Sequence, residues 1–153
     1  MVHVSFVCTG NICRSPMAEK VFRAALDDAG LAAGVEVTSA GTGGWHVGEP
    51  MDPRAAEVLV RHGYDTAHTA RQIDSHTLSA DVIVALDHGH RRALRDSVPE
   101  PDRVVMLRSF DPDASDDAEV PDPYYGGPDG FDEVLRMIRA AVPGLLERVR
   151  KEL

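Results

Sequence analysis

The stretch HVSFVCTGNICRSPMAE, residues 3–19, holds both cysteines of the chain, Cys8 and Cys13, with Arg14 and Ser15 directly after the second. It begins as an apolar strand, turns at Gly10-Asn11 and restarts as a helix opened by Ser15-Pro16. A helix N-terminus offers unpaired amide N–H groups and roughly half a positive charge. A tight turn feeding it can wrap further amides around a tetrahedral oxyanion. Gly10 permits backbone angles that a side chain forbids, and Asn11 tolerates the left-handed region better than most residues. A thiol facing that positive end and a guanidinium should lose its proton and act as a nucleophile, which is the part Cys8 is suited to. Arg14 offers a planar fork for two phosphate oxygens. Ser15 can hydrogen-bond the sulfur and ease its departure. The pattern points to phosphoryl transfer through cysteine, with amides and arginine in the role that metal ions fill elsewhere. No metal or other cofactor is expected.

Placing those groups requires a scaffold, and the rest of the sequence supplies one. Four short apolar runs, residues 4–8, 35–39, 81–86 and 104–107, are nearly continuous in apolar character, as strands covered on both faces are. Amphipathic segments lie between them. Ala18, Val21, Phe22, Ala25, Leu26 and Ala29 form one helical stripe closed by Gly30. Asp52-Pro53 opens a second helix that Gly63 ends, and Asp87 caps a third reaching about Ser97. A fourth carries Phe131, Val134, Leu135, Ile138, Val142, Leu145 and Val149, and Pro143 is expected to kink or divide it. Alternating strands and helices predict an α/β fold: a single doubly wound domain, residues 1–153, with a four-stranded parallel sheet flanked by helices. In such a sheet ligands bind beyond the carboxyl ends of the strands, where residues 8–15 stand. Residues 108–130, dense in Asp, Pro and Gly, read as a long surface loop, either a solvated connection or a functional one.

The bulk composition narrows the partners. A hydrophobic content of 43% and a charged content of 27% suit a soluble domain, and no apolar run approaches the ~20 residues of a membrane span. A net charge of −9 argues against nucleic acid or an anionic membrane as partner, so an anionic substrate must be attracted by a local site. The chain enters a strand at once, without the order of a signal peptide, and the cytoplasm is the expected compartment. Two cysteines make no disulfide framework. A metal site built from Cys8, Cys13, His88 or His90 lacks the second ligand pair of zinc sites.

VCTGNICRSPMAE resembles the signature loop of the low-molecular-weight protein tyrosine phosphatases, and DPYYGG at 122–127 resembles the acid loop that accompanies it. SAGTGGWHVGEPMDPRA and HGYDTAHTARQI, between them, also match, so the likeness spans nearly the whole chain and is strongest to the bacterial branch. The resemblance implies that Cys8 is the nucleophile, Arg14 the phosphate clamp and Asp122 the general acid. It implies that Thr9, Gly10, Asn11, Ile12 and Cys13 contribute to the phosphate cradle along with Arg14 and Ser15. It places Asn11, Ser15, Ser39 and His68 in a hydrogen-bond network supporting the loop, and Trp45, Tyr124 and Tyr125 on the substrate rim. It implies a redox pairing of Cys8 with Cys13, tyrosine-phosphorylated proteins as substrates, and a tyrosine kinase that could act on Tyr124 and Tyr125. Only the Asp-Pro-Tyr pattern selects Asp122 over Asp111, Asp113, Asp116 and Asp117.

Three other readings compete. Arsenate reductases of this fold relay oxidation to later cysteines, and none follows Cys13. A protein arginine phosphatase resembles the loop but carries Thr where this chain has Ile12, and a branched apolar residue there favours tyrosine. A non-catalytic phosphate-binding or thiol-redox module would use the same cradle without needing Asp122.

Overall fold

The computed structural model describes residues 1–127 and 129–153. Among these, β1 (Val2–Cys8), β2 (Val35–Gly41), β3 (Val82–Ala85) and β4 (Val104–Met106) form one parallel sheet in the order β2-β1-β3-β4. Five helices connect or flank them: α1 (Arg14–Ala29), α2 (Pro53–Arg61), α3 (Ser75–Leu78), α4 (His88–Arg95) and α5 (Gly130–Arg150). The expected strands are all present, within two residues at each end. The short α3 was not anticipated, and α4 stops at Arg95 rather than near Ser97.

Period-two alternation divides the sheet between two layers. Val4, Phe6, Val37, Val82 and Val84 face a large core with α1, α2 and α5, whereas Val7, Ile83, Ala85, Val104 and Met106 face a smaller one with Leu94 of α4. Phe6 meets Phe22 edge-on at 5.7 Å. Each such fully buried ring contributes about 1.5–3 kcal/mol. Burial on both faces explains why β1 is apolar almost throughout. Its central place in the sheet holds Cys8, at its carboxyl end, against the core.

The caps follow local chemistry. The Asp52 carboxylate accepts the Arg54 amide at 2.8 Å, and Asp87 accepts the His90 amide at 2.9 Å. Gly30 closes α1 in the left-handed conformation, at φ 72°. Pro143 does not divide α5, which runs unbroken from Gly130 to Arg150. An interior proline costs about 3 kcal/mol. Here Leu145 and Val149 beyond it stay in the same core as Phe131, Leu135 and Val142 before it, and that shared burial outweighs the lost hydrogen bond.

Candidate active site

The carboxyl ends of β1 and β3 are neighbours, so the loops leaving them share one crevice. Cys8 ends β1, and residues 9–13 turn into α1, whose N-cap position, Cys13, makes no side-chain cap. The left-handed residue of this turn is Asn11, at φ 59°. Gly10, expected to supply such angles, does not. Its missing side chain instead admits His46, whose Cδ2 would lie 2.9 Å from a Cβ there.

The turn is anchored outward through its carbonyls. Cys8 and Thr9 oxygens accept the Thr42 and Gly43 amides, and Ile12 oxygen accepts the Asp52 amide. The Asn11 oxygen takes His68 Nε2 at 2.7 Å. Close packing of β2 adds to this, because a Cβ on Gly41 would sit 2.7 Å from the Thr9 oxygen.

Asn11 is the hub beneath the loop. Its Nδ2 donates to Ser15 Oγ at 2.8 Å and Ser39 Oγ at 3.0 Å, and its Oδ1 accepts the Arg71 amide at 2.9 Å. Ser39 passes its own hydrogen to Glu19 at 2.6 Å. With its oxygen already accepting from Asn11, Ser15 has its hydrogen free for Cys8 Sγ, 2.9 Å away. The Ser15 amide donates to the same sulfur at 3.4 Å. All four expected support residues therefore meet. Glu19 and the Arg71 amide complete the network, and no local motif marks either of them.

Arg14 is only 3% exposed. Its Nη1 donates to Asp87 Oδ2 at 3.0 Å and to the Val120 oxygen at 2.9 Å. Nη2 lies 3.3 Å from Thr9 Oγ1 and 3.7 Å from Asp122 Oδ2. Burial alone would raise the Asp87 carboxyl, but the His90 amide and the charges of His90 and Arg14 hold it below the usual carboxylate range. Asp87 was anticipated only as a helix cap. Its position at the carboxyl end of β3, beside Cys8, is the signal that could have marked it.

Together these groups line a cleft of about 330 Å³. Cys8, Ile12, Cys13 and Arg14 lie on it with Asp122, and Trp45, Tyr124 and Tyr125 form its wall. Trp45 and Tyr125 are 73% and 88% exposed, so neither is core packing. Arg54 braces the wall, its guanidinium 5.3 Å from the Tyr124 ring centre and 4.7 Å from that of Phe131. Asp122 Oδ1 accepts the Tyr124 amide at 3.0 Å. Cys13 is buried beside the turn, and burial first, then the Asp52 charge, pushes its thiol up.

His90, missed as a site residue, pairs through Nε2 with Thr9 Oγ1 at 2.8 Å. Its Nδ1 stands 3.2 Å from Asp87 Oδ1 yet makes no aligned hydrogen bond. Burial brings its pKa down to about 4 against the opposing pull of Asp87, with the Arg14 charge assisting. The unfolded chain therefore binds a proton that the folded one refuses between about pH 6.5 and pH 4. Stability from this group is complete above the upper limit and lost as pH falls through the window, by about 3 kcal/mol. His90→Gln should flatten that part of the urea-unfolding pH profile. His3 and His68, which burial also holds low, contribute further slope, and the carboxylates held below their usual range, Glu36, Asp52 and Asp87, add to it at the acid end.

A family model described as low molecular weight phosphotyrosine protein phosphatase matches residues 3–153. A low molecular weight protein-tyrosine-phosphatase of Streptomyces coelicolor is 58% identical over 154 residues, covering 97% of this chain and 94% of that protein. The crystal structure of a protein tyrosine phosphatase from Entamoeba histolytica superposes with a TM-score of 0.93 at 32% identity, covering 99% of both chains. YwlE of Bacillus subtilis, described as an arginine phosphatase, aligns at a TM-score of 0.86 and 28% identity, covering 98% of this chain and 97% of its own, in a cysteine-to-serine form with a phosphorylated active-site serine.

Proposed function

Since this chain belongs to the low-molecular-weight phosphotyrosine protein phosphatase family and is a protein tyrosine phosphatase, we propose that it works through a cysteinyl-phosphate on Cys8, within one catalytic domain spanning residues 1–153. The observation that carries the mechanism is Cys8 Sγ on the cleft, hydrogen-bonded by Ser15 Oγ and facing Arg14 and Asp122. The Ser15 hydroxyl and amide, both within reach of the sulfur, are placed to stabilise the charge it carries when it leaves phosphorus. With the carbonyls of residues 8, 9, 11 and 12 tied outward, the turn from Thr9 to Ser15 is left to present amides to a phosphate.

In the first step Cys8 Sγ attacks phosphorus in line with the ester oxygen. The P–O bond breaks and Asp122 gives its proton to the departing phenol. In the second, the Asp122 carboxylate takes a proton from water as the water oxygen attacks phosphorus, and sulfur leaves onto the Ser15 hydroxyl. Arg14 holds the equatorial oxygens throughout. Asp87 and Val120 fix one edge of the guanidinium, so the remaining donors need not search for the phosphate.

Substrate class is read from the lining. Trp45, Tyr124 and Tyr125 on the same cleft as Cys8 suit a phenyl ring carrying the phosphate, and a phosphoserine lacks the ring that this aromatic wall would hold. The partners are phosphorylated proteins. Ile12, apolar and 8% exposed on this cleft, offers no hydroxyl to help water, which favours tyrosine over arginine phosphate. Exposed Tyr125 and its neighbour Tyr124 are open to a tyrosine kinase. Cys13, on the same cleft, can attack a peroxide-oxidised Cys8, releasing water and closing a reversible disulfide. We assign the protein to the cytoplasm, where such thiols stay reduced. Among the described residues no helix is long and apolar enough to cross a membrane. The charge of −9 weighs against nucleic acid and anionic membrane surfaces.

The test compares wild type and Asp122→Ala on phosphotyrosine, phosphoserine and phosphoarginine peptides and on a series of aryl phosphates. Wild type should turn over phosphotyrosine fastest. The variant should lose about 10²–10⁴-fold on poor leaving groups and much less on good ones. A uniform loss across leaving groups removes Asp122 from the acid role, and faster phosphoarginine turnover reverses the substrate assignment.

A further inference from the structure

At the end of the sheet opposite the cleft, three residues distant in the chain converge. His3 on β1 pairs in register with Glu36 on β2, and His76 on α3 reaches across to both. One donor atom from each lies within 4.8 Å of the other two. His76 Nε2 is 2.8 Å from Glu36 Oε2, and the His3 and His76 rings stack at 4.5 Å. The cluster stands five residues from Cys8 along β1, about 17 Å at strand spacing, so it is separate from the catalytic groups.

One ligand is already oriented. Thr38 Oγ1 donates its hydrogen to Ser5 Oγ at 2.9 Å, so it must accept from His3 Nε2, 2.7 Å away. That puts the hydrogen of neutral His3 on Nε2 and leaves Nδ1 with a free lone pair. Metal-bound imidazoles carry an outer hydrogen bond of this kind on their second nitrogen. The Asp81 carboxylate accepts the His3 amide at 2.8 Å and adds negative charge beside the cluster. The backbone of α3 is fixed by a capping box, in which Asp74 accepts the Thr77 amide at 3.0 Å.

We propose that His3, Glu36 and His76 form a binding site for a zinc-class divalent cation that ties α3 to the N-terminal ends of β1 and β2. Two imidazoles and one carboxylate are a donor set of open tetrahedral zinc sites, with water in the remaining position. The nitrogens disfavour magnesium and calcium, which take oxygen donors. Bonds of about 2.0–2.2 Å at tetrahedral angles need donors roughly 3.3 Å apart, so on binding His76 and Glu36, their donor atoms now 2.8 Å apart, open slightly and draw in toward His3 from within 4.8 Å. His76 and Glu36 are 50% and 41% exposed and can rotate to achieve this, while buried His3 stays in place. A plain His76–Glu36 ion pair beside a stacked ring is the competing account, and it has no cation affinity.

The experiment titrates Zn²⁺ into the full chain carrying Cys8→Ser, which removes the competing catalytic sulfur. One equivalent should bind, shifting the His3 and His76 ring resonances and raising Tm by roughly 5–10 °C at a hundredfold excess over Kd. Adding His76→Ala or Glu36→Gln should weaken that binding at least about tenfold, at the lost-ligand scale of 1.4 kcal/mol or more. In the otherwise wild-type chain the same two substitutions should leave phosphotyrosine turnover unchanged. Mg²⁺ should produce no shift. Equal Zn²⁺ affinity with and without His76, or no binding up to about 1 mM, overturns the proposal.

Discussion

Cys8→Ser is expected to lower kcat on aryl phosphates on the order of 10⁴-fold or more, while the folded state and its Tm remain intact. The substitution exchanges one small buried atom for another, so the packing around residue 8 is nearly conserved. The chemistry is not. The Ser15 hydroxyl and amide lie 2.9 and 3.4 Å from the sulfur, and an alcohol oxygen in its place is a far weaker nucleophile at neutral pH. Phosphate binding should survive, because the turn amides and Arg14 are unchanged, and the variant should hold substrate without releasing product. Steady-state turnover with an equilibrium binding measurement separates the two effects. Retention of more than about one per cent of kcat would remove Cys8 from the nucleophile role.

Arg14→Lys should lower kcat/KM by about 10³–10⁴-fold, although charge is conserved. The guanidinium bridges Asp87 Oδ2 and the Val120 oxygen with one nitrogen while its second faces Thr9 and Asp122. A lysine ammonium is a single point with three donors, and it cannot hold that edge and also clasp two phosphate oxygens. Choosing Asp87 leaves the phosphate unclamped, and choosing the phosphate leaves Asp87 and the Val120 carbonyl unpaired. The loss should fall mainly on kcat, because charge develops on the equatorial oxygens in the transition state. Vanadate, which takes the same trigonal geometry, should weaken more than inorganic phosphate. A loss below about tenfold, or equal weakening of both anions, would mean Arg14 only attracts substrate.

The two expectations rest on unequal knowledge in the sequence. Cys8, Arg14 and Ser15 sit within eight residues, so their partnership is local: strand, turn and helix start are written in one apolar run, one Gly-Asn pair and one Ser-Pro pair. The parallel sheet was legible for the same reason, since the central strands β1 and β3 are buried on both faces and the edge strands β2 and β4 keep short apolar runs of their own. Pro143 shows the limit of local rules. Its effect depended on whether both halves of α5 could stay on one core, which the local propensity of a proline does not contain. Gly10 and Asn11 show a finer one, because the composition of the turn named its two special residues without saying which would take the left-handed angle.

Asp87, His90, Glu19 and Val120 belong to the site only through the order of the strands. Placing β3 next to β1 brings the caps of α4 within reach of Arg14, and a β4 neighbour would not have done so. His3, Glu36 and His76 likewise meet through parallel register and the placing of α3. The chain alone determined the nucleophile, its turn and the kind of fold, because those follow from residues within one or two elements of each other. Tertiary structure decided which distant carboxylates, carbonyls and imidazoles face that turn, because hydrogen-bond partners across a sheet are set by strand order and register, not by neighbours in sequence.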